Sequence, residues 1–279
     1  LLTNSSQTGL LDQLTLNNKM LLAVSLNLAY EDHGAGIIVF APKIIGQKIP
    51  EAEQLVLQQL ERVKNGDFSD TLLETVKMSL YKDFQLRMES NFGLAYSFAD
   101  AFTSGVDLDR VWEYSEAIKQ LSKKDIMAVA NTYYGDNFLA FHSKMGTASG
   151  NKIQKPGFDP LNQATDASSE FADRIRALPT PAAEAKFVDF ENDMKIYDIA
   201  PGYKFYYVEN KANDIFTLKI RFGAGDHKLP MLEYASMMMN YAGTRSKSVN
   251  QFKSAMGLLG CDYSIYSDEN YLYFSLDGP

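Results

Sequence analysis

Three histidines, His33, His142 and His227, and one cysteine, Cys261, are the whole supply of imidazole and thiol in this chain of 279 residues, and they are far apart. A local His or Cys zinc cluster is excluded, and Cys261 has no second cysteine to pair with, so the redox compartment stays undecided. Glu31-Asp32-His33 and Asp226-His227 each place a carboxylate beside an imidazole, the chemistry of a proton relay. Both lie in turn-like sequence, where solvated polar side chains are the rule. Met237-Met238-Met239 offers thioethers suited to Cu(I) with no adjoining His or Cys, and reads as core filler. Gly223-Ala224-Gly225-Asp226 lacks the Lys-Ser/Thr ending of a phosphate loop. No basic residue adjoins Cys261 to lower its pKa, so it is not expected to act as a nucleophile. Tyr263, Tyr266, Tyr271 and Tyr273 alternate along two strand-like runs and read as sheet packing.

The elements that must position these residues are those of a globular chain, because 46% hydrophobic and 12% aromatic residues are enough for real cores. With 27 Lys+Arg against 35 Asp+Glu the net charge is −8, which repels phosphate backbones and argues against a nucleic-acid partner. The apolar runs are far shorter than the roughly 20 residues of a membrane span. The chain starts at Leu1 without Met and stops just after a strand-like run, as a piece of a longer protein would. Any signal sequence would then lie upstream, and the compartment is unknown.

Alternation from Met20 to Tyr30, followed by an Ile- and Val-rich run from Gly36 to Ala41, predicts an antiparallel hairpin turning at Glu31–Gly34. Pro50 opens a helix that carries Leu55, Val56, Leu60 and Val63 and ends before Gly66. Thr71 with Glu74 reads as a capping box for a long helix to about Ser90. Helical patterning over Asn91–Thr103 places Phe92, Tyr96, Phe98 and Phe102 in the core, and Asp107–Leu121 carries the single Trp112. Ser122 with Asp125 caps a further helix ending at Gly135, and Phe138–His142 returns as a strand. Residues 1–145 form one α+β module with helices on one face of a mostly antiparallel sheet, expected to be compact alone.

Residues 146–200 read as a linker rich in Gly, Ser, Thr and Pro, with one short helix at Ser169–Ala177 and the backbone most open to proteases between Met145 and Pro181. A second module, 201–279, shows strands at Tyr203–Val208 and Ile215–Phe222 joined as a hairpin through Asn210–Asp214. It continues with helices at Leu229–Ala242 and Val249–Leu259 and strands at Asp262–Ser267 and Tyr271–Leu276. Its uncovered apolar face and unpaired edge predict self-association, or local disorder, over about 203–276.

The runs Tyr207-Val208-Glu209-Asn210, Leu218–Gly225, Leu232–Asn240, Gly243-Thr244 and Phe252–Gly260 resemble the opening of a peptidase unit of the pitrilysin/insulinase family of zinc metallopeptidases, the inverzincins. In that family the helix ahead of the Gly-Thr pair carries H-x-x-E-H, two zinc ligands and a general base. Here Tyr234, Met237 and Met238 fall at those positions, and a phenol and two thioethers supply neither ligand nor base. The first module resembles the repeat that completes a peptidase unit. Active members carry an Arg and a Tyr seven apart there, and matching Leu11-Asp12-Gln13-Leu14 to the motif helix puts Thr15 and Leu22 in their places. Arg87 to Tyr96 is a local look-alike with a spacing of nine, one helix too late.

The resemblance implies a fold of the metallopeptidase-repeat type, like that of mitochondrial processing peptidase. It implies a central, non-catalytic segment of a zinc metalloendopeptidase that shapes the substrate chamber and joins its two halves. Residues 1–145 would be a second-type repeat, 146–200 the linker, and 201–279 the start of a degenerate first-type repeat. No catalytic or metal residue is expected in this chain, and the zinc of the parent protein would sit on ligands outside it. The implied partners are a peptide or protein substrate and the remaining repeats of the same chain. The alternative is an inactive homologue serving as scaffold or partner subunit for a separate zinc-bearing chain, as in processing-peptidase and respiratory-complex core relatives.

Overall fold

The computed structural model describes residues 1–144, 146, 154–157, 167–179 and 184–279. Residues 1–141 and 210–279 make one compact unit and residues 142–209 another. The fold is α+β, with helices laid on small antiparallel sheets.

In the larger unit, α1 (Leu10–Leu16) leads into β1 (Leu22–Ala29), which pairs with β2 (Gly34–Ala41) without a register shift from Leu22↔Ala41 to Ala29↔Gly34. Next comes α2 (Ile49–Lys64), which opens with Pro50 where the missing N–H costs nothing. Its Val56 and Val63 enter a core with Leu11, Leu14 and Met20, with Phe68 just ahead of α3 (Asp70–Met88) and with Leu72 and Leu73 in its first turn. Around α3 pack α4 (Asn91–Thr103) and α5 (Arg110–Gln120), while α6 (Lys123–Tyr133) packs on α2. The capping box Ser122/Asp125 forms at α6. The box expected at Thr71 does not form, because Ser69 lies two residues earlier in extended backbone and accepts the Leu72 N–H at 3.1 Å.

Two further expectations are corrected. Phe92, Tyr96 and Phe102 are exposed, since α4 buries its small-residue stripe Gly93, Ser97 and Ala101 and leaves the aromatics outward. Of the expected four, Phe98 instead meets Trp112 edge-on at 5.6 Å. Residues 138–142 carry no strand pairing, because strand-prone side chains become a strand only where a sheet edge receives them.

The chain re-enters this unit at Asn210 and forms β5 (Phe216–Phe222), α8 (Leu232–Met239), α9 (Val249–Leu258), β6 (Asp262–Ser267) and β7 (Leu272–Gly278). The sheet order is β5-β7-β6, antiparallel throughout. Tyr266 and Tyr273 stand opposite each other on it with rings stacked at 5.0 Å. Helix α9 lies against α3, and a methyl at Gly257 would fall 2.6 Å from Thr75 Cγ2, so only glycine permits this approach.

The smaller unit holds α7 (Glu170–Arg176), capped by Ser169, and a hairpin of β3 (Lys195–Ala200) with β4 (Tyr203–Tyr207). The expected hairpin of 203–208 with 215–222 is thus replaced: β4 pairs with β3 and β5 with β7. Pro201-Gly202 supplies the two-residue turn, with Gly202 at φ 82°. The presumed loop at Asn210–Asp214 instead anchors to α3, where the Asn210 and Asn213 amides donate to Glu89 Oε1 at 3.1 and 2.9 Å. The expected linker thus contains β3 and α7, and most of its Gly, Ser and Pro run, with the Met145–Pro181 cleavage region, lies outside the described residues.

Candidate functional site

The residues at the zinc-motif positions stand on α8, a helix set against β6. Ser236 is its buried contact, and Asn240 just beyond it brackets Ile265, donating to its carbonyl at 2.8 Å and accepting its N–H at 2.9 Å. Because those two short polar residues face the sheet, Tyr234, Met237 and Met238 point outward, 59%, 57% and 73% exposed. This corrects the core-filling role expected of Met237-Met238-Met239. An exposed phenol and two thioethers do not fit zinc, which takes imidazole, thiolate or carboxylate. Among the described residues, no group of three His, Cys, Asp or Glu side chains could hold a metal ion.

Thr15 lies on α1 with its hydroxyl buried and without a hydrogen bond, whereas Leu22 begins β1 exposed. Arg87 is on α3 and Tyr96 on the outer face of α4. His33 closes the β1–β2 turn, its carbonyl accepting the Tyr30 N–H. Asp226 is engaged as a helix brace, accepting from Glu233 N at 2.8 Å and from Ser267 Oγ. Gly225 lies against the Asn270–Tyr271 backbone so closely that a side chain has no room, a packing reason for that glycine. Cys261 is buried, and burial pushes its thiol up, away from the reactive thiolate.

What the sequence reading missed is a polar cluster where α3, α9, β6 and the loop before α1 converge. Lys82, 2% exposed on α3, forms an ion pair with Asp262 at the start of β6. The other carboxylate oxygen of Asp262 accepts from Ser6 Oγ at 2.9 Å, and Ser6 and Ser79 share a hydrogen bond of 3.2 Å. Nearby Asp83 is pushed up by burial, with Lys82 opposing and Asp262 adding. Beside the pair a cleft of about 350 Å³ opens, lined by Ser5, Gln7, Met237, Tyr241, Lys253 and Tyr263 among others. Lys253 on α9 is buried, and burial lowers its pKa from 10.5 while Asp12 and Asp262 pull it back up. A signal existed, since Thr75, Ser79 and Lys82 continue the inward stripe of α3 at i, i+4 and i+7. A lysine on such a stripe requires a partner.

No family model matches the chain. Over 133 residues it is 26% identical to a protein named zinc protease PqqE from Helicobacter pylori, a match covering 47% of this chain and 28% of that protein. Among solved structures it is similar to a protease from Helicobacter pylori, with a TM-score of 0.44, 24% identity, and coverage of 48% of this chain and 33% of that one. It is also similar to the periplasmic protease PqqL from Escherichia coli, with a TM-score of 0.37, 11% identity, and coverage of 98% and 33%. The chain thus spans 28% to 33% of the length of these relatives. One of these relatives is named a zinc protease and the others proteases, and no helix among the described residues is long and apolar enough to cross a membrane.

Proposed function

We propose that the chain is a non-catalytic central segment of a pitrilysin/insulinase-type zinc metalloendopeptidase, in which it shapes the substrate chamber and joins the two halves. In this reading residues 1–145 are a second-type repeat, 146–200 the connection and 201–279 the start of a degenerate first-type repeat. Zinc and its water would supply the attack on the amide carbonyl from ligands elsewhere in the complete protein. The observation that carries the reading is α8: it occupies the place of the zinc helix in the resemblance yet turns Tyr234, Met237 and Met238 outward. The similarity to a named zinc protease supports the same class. Self-association belongs to it as well, since the exposed Met231, Tyr234 and Met238 face is apolar enough to seek a cover.

Metal content and hydrolysis of a quenched fluorogenic peptide, measured on this chain and on the complete protein that contains it, test the reading. Chelator-sensitive turnover is expected of the complete protein, unchanged by Met238→Ala, with none from the chain alone. Stoichiometric zinc on the isolated chain, lost on Met238→Ala, would overturn it. A complete protein with neither zinc nor turnover would instead favour a partner subunit.

A further inference from the structure

Lys253 is 7% exposed, and among the described residues its ammonium makes neither an ion pair nor a hydrogen bond. Two rings lie over it, with Nζ 5.4 Å from the Tyr263 centroid and 5.9 Å from that of Tyr241. Rings stabilise a cation but do not neutralise it. The two carboxylates close enough to feel its charge are both committed elsewhere: Asp262 to Lys82 and Ser6, and Asp12 to the backbone N–H groups of Asn4 and Gly9 at 3.0 and 2.9 Å. Lys253 also lines the 350 Å³ cleft, which is at the small end of the roughly 300–1,000 Å³ range of ligand pockets. A buried cation without a counter-ion, facing a cleft of that size, is a built half of an ion pair.

We propose that this cleft binds a monocarboxylate ligand, its carboxylate on Lys253 between the Tyr241 and Tyr263 rings and its apolar part against Met237 and Met256. One negative charge suits the site better than two, because Asp12 and Asp262 already act on Lys253 and would repel a dianion more strongly than a monoanion. The polar rim from Ser5 and Gln7 leaves room for a ligand bearing an amide, so either a free small acid or the C-terminus of a peptide supplies the required chemistry. The inference is independent of the peptidase reading, since it uses only the cleft.

The test is titration of the 279-residue chain, followed by calorimetry and by amide chemical shifts of α9 and β6, with acetate, N-acetyl-leucine, N-acetyl-leucinamide and inorganic phosphate. A carboxylate is expected to bind saturably, at least about tenfold tighter than the matched amide and than phosphate. Lys253→Met should weaken it by at least about tenfold and Lys253→Arg by only a few fold. Acetate binding as well as N-acetyl-leucine marks a free acid as the ligand, and preference for N-acetyl-leucine marks a peptide terminus. Equal affinity for acid and amide, tighter binding of phosphate, or no carboxylate binding at about 10 mM would overturn the proposal on the unaltered protein, whatever the folding of the variants. Unchanged affinity in a folded Lys253→Met protein would overturn it too.

Discussion

Two lysines on the neighbouring helices α3 and α9 are buried in different ways, and the difference fixes what each substitution should do. Lys82 has Asp262, so removing one partner strands the other charge; Lys82→Met is expected to cost about 3 kcal/mol in urea unfolding, and a second change, Asp262→Leu, to recover most of it. Simple additivity of the two losses would show that the pair is not coupled. Lys253 has no such partner, and its folded pKa is depressed below 10.5 by burial, with Asp12 and Asp262 opposing. Between that depressed value and 10.5 the unfolded chain holds more protons, so stability rises with pH as the folded lysine sheds its charge first. Wild type should therefore gain on Lys253→Met as pH rises toward 10.5, read from unfolding midpoints. A constant gap would mean that burial does not disfavour the charged amine.

Helix α3 shows how local signals compete. Ser69 and Thr71 both precede its apolar stripe, and Thr71 has the better box partner in Glu74. The first helical residue is nonetheless Asp70, so the oxygen that can reach an orphan N–H is that of Ser69, in extended backbone with ψ 151°. Ser69→Ala should cost about 1 kcal/mol and Thr71→Ala much less, as chemical denaturation would show; the reverse order would move the helix start. The same kind of local chemistry made most elements legible: alternation gave β1, β6 and β7, a run rich in Ile and Val gave β2, Pro50 gave α2, and Ser122/Asp125 gave α6. The misreadings came where a partner decides. Residues 138–142 have strand composition but pair with no strand, and Tyr203–Tyr207 took the nearer strand across Pro201-Gly202. On α4 and α8 the bulky side chains suggested the inward face, yet Ser97 and Ser236 hold it, because small residues let a helix approach its neighbour closely. The Lys82–Asp262 pair spans 180 residues, and no window of sequence contains both ends.

At the scale of the molecule, residues 210–279 complete the structure of 1–141. Helix α3 turns Thr75, Ser79 and Lys82 toward α9 and β6, where Gly257 admits Thr75 and Asp262 neutralises Lys82. Asn213 ties the start of this segment to the far end of α3, donating to Glu89 and to the Gln85 carbonyl. A fragment of residues 1–141 would keep the core of Leu11, Val56, Val63 and Leu73 but expose that polar face and leave Lys82 unpaired. The expected outcome is a fragment that unfolds at lower urea concentration, and with a smaller slope, than the full chain, because less surface is hidden to begin with. Adding a separate peptide of residues 210–279 should raise the midpoint again, and should fail to do so when it carries Asp262→Leu. An unchanged midpoint and slope for residues 1–141 would mean that the contacts made by α9 and β6 contribute nothing to stability. The two sequence modules would then be separate in energy as well as in sequence, as the composition shift near residue 145 first implied.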